Sequence, residues 1–205
     1  MKPASIRIAA ATAIGIAIST SAPGVRSQPA KDPDWPCVQV LVPALSPGQI
    51  WGGPPLDEAD PKWIDDPRVA SLKDRAVGRA TPVNVLDADV AAFAKEAGAE
   101  REQALTALFA RVFSTMDDRR SSAINAIKRY ARQQRELQAE IAATLRAIDA
   151  APKDSAEATR LNDRLGLLRR ILDERRRSLT AVCEQPIDVE RRLGEVARVI
   201  NAHLE

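Results

Sequence analysis

Aromatic and imidazole side chains are scarce in this chain: three Phe, three Trp, one Tyr and a single His among 205 residues. One histidine, His203, excludes multi-His zinc and iron sites. It also sits almost at the C-terminus, where fraying makes a poor general base. A paired-carboxylate glycosidase leaves no short motif, but an aromatic content of 3% makes its usual aromatic-lined cleft hard to build. Cysteine is limited to Cys37 and Cys183, without a Cys-x-x-Cys pair or a sequence-local His, which argues against thiol redox catalysis. Gly-x-Gly-x-x-Gly, phosphate-loop, Gly-x-Ser-x-Gly and metalloprotease-helix motifs are all missing. Asp57, Glu58, Asp60, Asp65 and Asp66 lack the alternating ligands, central Gly and closing Glu of a calcium loop, so they read as caps and solvated positions. The chain therefore reads as non-enzymatic, with no cofactor and no metal.

Long apolar runs are also few. Ile8 to Ile18 is one, preceded by Lys2 and Arg7 and followed by small polar residues up to Ser27. This is the layout of a secretory signal peptide over residues 1–27. The run is too short for a membrane-spanning helix, which needs about 20 residues. Asp34, Trp35 and Pro36 before Cys37 rule out a lipobox, and no stable membrane insertion is expected after cleavage. Removing residues 1–27 leaves 27 basic against 28 acidic side chains, a net charge of −1. No global field then favours nucleic acid. Arg outnumbers Lys 23 to 7, as in GC-rich bacterial genomes, so export points to the periplasm. In that oxidising compartment Cys37 and Cys183 are expected to be bonded, closing a loop of about 146 residues.

Two halves of different character follow. Residues 28–82 hold ten of the 14 prolines and all three tryptophans. Proline removes backbone donors and fixes φ, so this half is predicted to be irregular. Cys37 to Val42 reads as a brief extended run. One helix is expected over about 67–77, with Asp66 as N-cap, Pro67 at the first position and Gly78 at its end.

From 83 to 205 the pattern is helical. Asp87 is expected to cap a short helix ending near Gly98. A second carries Leu105, Leu108, Phe109, Val112, Phe113 and Met116, and at Thr115 with Asp118 it is expected either to be capped and restarted, the slightly favoured reading, or to run straight on. Ile127, Ala131, Gln134, Gln138, Ile141, Leu145 and Ile148 then alternate four- and three-residue steps. After a turn at Ala151–Asp154, with Asp154 and Glu157 spaced as a capping box, the alternation repeats. Its positions are Leu161, Leu165, Leu168, Leu172, Arg175, Leu179 and Val182. Two such seams describe an antiparallel coiled-coil hairpin over about 118–184, with contacts whose residue numbers total about 306. Leu145 is then expected to meet Leu161, and Arg175 to meet Ala131. Pro186 is expected to open a last helix over about 187–204. The fold class is all-α: a helical hairpin, shorter packing helices and an irregular Pro/Trp-rich segment fastened by one disulfide.

Two groups are candidates for partner binding. Trp35, Trp51 and Trp63 form either an aromatic recognition strip or a staple onto the helices. Arg169, Arg170 and Arg176 lie in a basic run broken by Asp173 and Glu174, which suits a solvated face or an acidic partner. The function expected is that of an adaptor for a protein of the cell envelope, with a chaperone-like role or a ligand pocket beside the Trp segment as alternatives.

Overall fold

The computed structural model describes residues 32–204, and the expected leader lies outside them. Every regular element among these residues is helical. They are α1 (Pro61–Ile64), α2 (Pro67–Val77), α3 (Val83–Ala97), α4 (Arg101–Ala150) and α5 (Ala156–Asn201), with 3-10 turns at Pro47–Gln49, Leu56–Glu58 and Gly98–Glu100. The proline-rich half builds only α1, α2 and two of these turns. Asp60 and Asp66 each cap a helix by accepting from a backbone N–H two residues on, and a proline occupies the first helical position in both.

Three expected boundaries differ. The helix expected to start at Asp87 begins at Val83, because Pro82 presets the entry backbone and its carbonyl accepts the first helical bond from Leu86. Asp87 instead faces out and meets His203, 2.9 Å away. The break expected at Thr115–Asp118 does not occur. The Thr115 hydroxyl donates to the carbonyl of Arg111 (2.9 Å), so it is used inside the helix and caps nothing. Pro186 likewise opens no helix, because α5 runs through it. An interior proline costs about 3 kcal/mol against alanine. The packing of Cys183, Pro186 and Leu193 on the interior face offsets that cost. Glycine does mark the α3–α4 boundary: Gly98 has φ +59°, which other residues rarely adopt.

α4 and α5 thus serve two purposes. Their outer ends, with α1 to α3, enclose the main core at the base. Leu86, Val90, Leu105, Leu108, Val112, Val196 and Ile200 meet there, and Trp51 stacks on Phe109 with centroids 4.4 Å apart. Their inner ends form the hairpin. The turn is closed by Ser155, which accepts from Ala158 N–H at 3.1 Å, while Asp154 takes the left-handed conformation at φ 62° and caps nothing. The hairpin register matches expectation: Tyr130 hydroxyl donates to the Arg175 carbonyl, Arg164 pairs with Glu140 at 2.7 Å, and Ile127 shares a cluster with Leu179. Arg175 lies beside the Tyr130 ring, 6.0 Å from its centroid, rather than simply over Ala131.

The seam on α4 departs from the even alternation. Leu137 and Thr144 are buried, whereas Gln138 and Leu145 are exposed. Ala131, Gln134 and Leu137 are therefore two successive three-residue steps, a stammer in the heptad. The gain is direct, since an apolar Leu137 replaces a glutamine in the interface. Thr144 donates to the Glu140 carbonyl at 2.9 Å, so it brings in no unpaired hydroxyl. Leu145, expected to meet Leu161, is instead 38% exposed. We expect Leu137→Ala to cost about 2–4 kcal/mol in denaturant unfolding and Leu145→Ala less than about 1 kcal/mol. The even alternation would require the opposite order.

Candidate functional site

The segment Asp32–Leu45 is a strap without regular structure laid across the base of the hairpin. Its fastening is the disulfide between Cys37 and Cys183, with Cα atoms 5.7 Å apart. Around it Trp35, Ile124 and Ile127 are buried, with Leu41, Leu179 and Val182 packed against them. The Trp35 indole donates to the Gln39 carbonyl (2.7 Å), and Gln39 Nε2 donates to the Cys183 carbonyl (2.6 Å), tying the strap to the turn of α5 that precedes Pro186. At one end Lys128 pairs with Asp32 (2.8 Å), and Arg132 (2.7 Å) and Arg135 pair with Asp34. Those hydrogen bonds hold both carboxyls below the ordinary aspartate range, that of Lys128 acting on Asp32 and that of Arg132 first on Asp34. Depressed carboxyls of this kind favour the docked strap above about pH 4, and the contribution is lost as pH falls through the folded values.

At the other end stands Arg120, almost completely buried. Its Nε donates to Glu190 of α5 (2.5 Å) and its Nη2 to the Val42 carbonyl (2.6 Å), so one guanidinium joins α4, α5 and the strap. Composition gave no hint of this residue, but its position did: Met116, Arg120, Ile124 and Ile127 continue the buried stripe of α4. A similar role falls to Arg192, whose guanidinium donates to the carbonyls of Ala76 (2.9 Å) and Thr81 (3.0 Å).

The three tryptophans are buried rather than presented as an exposed strip. Trp35, Trp51 and Trp63 are only 7%, 8% and 5% exposed, and each belongs to a core cluster. Each indole N–H is also bonded: Trp35 to Gln39, Trp51 to Pro54 and Trp63 to Glu100. Their size is used to anchor an irregular segment, because large flat side chains bury much area at little conformational cost. The outward surface of the strap is aliphatic instead. From Cys37 to Val42 the exposure alternates, and Val38, Val40 and Val42 face solvent. Val38, Leu179 and Ile187 line a groove of about 290 Å³ beside the disulfide. The backbone N–H groups of Val38 to Val42 donate to no described residue. The sequence marked this run as extended, but not which side it would bury.

Arg169, Arg170 and Arg176 are exposed on the outer face of α5, and none belongs to the clusters that hold the tryptophans. The two candidate groups are thus not one site. Two larger concavities, of about 400 and 390 Å³, lie elsewhere, one lined by Gly52, Glu102 and Asn201 and the other by Arg68, Arg75 and Asp89. Among the described residues no helix is long and apolar enough to cross a membrane. No protein-family model, curated protein or solved structure matches the chain.

The strap geometry has a measurable consequence. Replacing both Cys37 and Cys183 with Ala is expected to lower unfolding stability by about 2–5 kcal/mol and to expose Trp35 to a soluble quencher. Unchanged stability and unchanged quenching would show that the ion pairs and the Trp35 cluster hold the strap without the bond.

Proposed function

We propose that this chain is an exported, non-enzymatic adaptor of the bacterial cell envelope, working in the periplasm by holding a protein partner on its helical arm. One observation carries this reading. Beyond the strap the cluster of Leu137, Leu168 and Leu172, with Ile141 and Ile171, is drawn from α4 and α5 alone. Two helices with a single shared seam leave most of their circumference to solvent, and such an arm adds nothing to the core at the base. Its rigidity comes from the base, where the same two helices are locked by α1 to α3 and by the strap. The basic leader-like start of the sequence and the disulfide between Cys37 and Cys183 support export.

The test is an arm shortened by one heptad on each side, deleting residues 138–144 together with 162–168, which face each other across the hairpin. The adaptor reading expects a melting temperature within a few degrees of the parent, because the base core is untouched, and loss of the cross-links that the full arm makes in the periplasm. It also expects the cellular protein to begin near Gln28, as read by mass spectrometry. An unchanged cross-link pattern, or a cytoplasmic chain retaining Met1, would contradict it.

A second reading, a chaperone-like role, is favoured by the exposed row of Val38, Val40 and Val42 beside the Ile187 groove. It expects the protein to slow aggregation of a reduced model client, and Val38→Ser with Val40→Ser to remove that effect. Under the adaptor reading the client aggregates at its own rate.

A further inference from the structure

Charge is unevenly spread over the described fold. From Ile124 to Cys183 the arm carries 13 Lys and Arg against 8 Asp and Glu, a net of +5. Residues 32–123 and 184–204 carry 13 against 19, a net of −6. A nearly neutral protein is therefore polarised, with a positive arm on a negative base. Within the arm the positive charge is concentrated again. Arg169 and Arg170 follow the seam residue Leu168, and Arg176 and Arg177 follow Arg175 seven residues later. All four are exposed. Among the described residues Arg169, Arg170 and Arg177 enter no ion pair, and Arg176 only approaches Asp173, at 3.9 Å.

The seven-residue repeat places the two doublets on one line along the helix, about 10 Å apart. That separation is close to the Debye length of about 8 Å at physiological salt, so the four charges act together on anything that approaches. Like charges held this close repel one another, and no contact within the described fold requires them to be there. Gly166 and Leu167 begin the same outer face. A Cβ built on Gly166 would touch nothing within 4 Å, and Leu167 is 50% exposed, an apolar spot beside the guanidinium row.

We propose that the outer face of α5 from Gly166 to Arg177 docks an acidic helical segment of a protein partner. The inference rests on the adaptor reading and names the surface and the chemistry of what binds there. A helix laid along α5 with carboxylates at the same seven-residue repeat would meet both arginine doublets, and planar guanidinium groups bind carboxylates in paired, directional fashion. The interior of the face selects against flatter anions. Asp173 and Glu174 lie between the doublets and would be pressed against a lipid surface or a nucleic-acid backbone, whereas a polypeptide can set a basic side chain opposite them. No aromatic side chain stands on this stretch to stack a base or enter a headgroup layer.

The experiment measures binding of a fluorescent helical peptide, about 22 residues long with Glu doublets at seven-residue intervals, to the purified chain. An isomer of the same composition with scattered glutamates is the control, and vesicles containing anionic phosphatidylglycerol compete. Saturable binding is expected at about 50 mM salt, weakening severalfold at 200 mM. The variant R169E/R170E/R176E/R177E should lose about tenfold or more in affinity, while the corresponding four-lysine variant should lose only a fewfold. Both should melt at the parent temperature, since none of the four side chains is buried. The proposal falls if the scattered isomer binds equally well, if charge reversal leaves affinity unchanged, if no peptide binds, or if vesicles displace the peptide completely. It also falls if the parent chain self-associates in sedimentation and charge reversal disperses it, because the occupant is then the acidic base of a second copy. Absence of peptide binding with arm cross-links intact removes this surface only, whereas cross-links that are indifferent to arm length remove the adaptor reading itself.

Discussion

Everything in this fold depends on α4 and α5 remaining unbroken between two different environments. At the base each helix is surrounded by other elements and buries a broad face; in the arm each keeps only a seam. The two long elements run 50 and 46 residues, and α4 spans about 75 Å at 1.5 Å per residue. A break at either of the two weak points would leave the arm hinged instead of rooted. At Thr115 the hydroxyl turns back onto its own helix, and at Pro186 the interior packing compensates for the missing N–H. Tertiary burial decides both cases against local preference.

The strap is the complementary device. It has no hydrogen-bonded ladder of its own, so side chains from elsewhere must hold it: a disulfide at the centre, Arg120 at one end, Lys128, Arg132 and Arg135 at the other. Buried Arg120 is a strong fixture because any movement of Val42 or Glu190 would strand a charge away from water. The disulfide adds the constraint that is effective in the unfolded chain, where joining positions 146 residues apart removes much conformational freedom. Because the strap crosses the place where base becomes arm, fastening it also braces that junction.

Much of this was legible in the sequence, and the exceptions have physical causes. The helical class, the hairpin register and the Asp66 cap follow from spacing, since period and capping chemistry are local, and the cysteine pairing follows from a count of two in a chain read as exported. At Thr115 and Pro186 the capping and proline rules describe isolated helices, and buried neighbours outweigh them. At Gln138 and Leu145 the even heptad fails, and the sign of it is Leu137, one residue away from a polar seam position. For the tryptophans, sequence alone left two roles open, and only packing separates a staple from a recognition strip. Arg120 is the harder case, because a charged side chain normally belongs to the surface, and only its place in the buried stripe of α4 marks it.

The claim tested most directly is that base and arm share one rigid α4. Labels at Gln103 and Gln133, both exposed, span the disputed Thr115–Asp118 stretch, and their separation can be measured by pulsed electron-spin spectroscopy. An unbroken helix over those 30 residues places the labels about 45 Å apart in a single narrow distribution. A shorter mean or a broad, two-peaked distribution would show a joint in the helix, and the arm would then have no firm root.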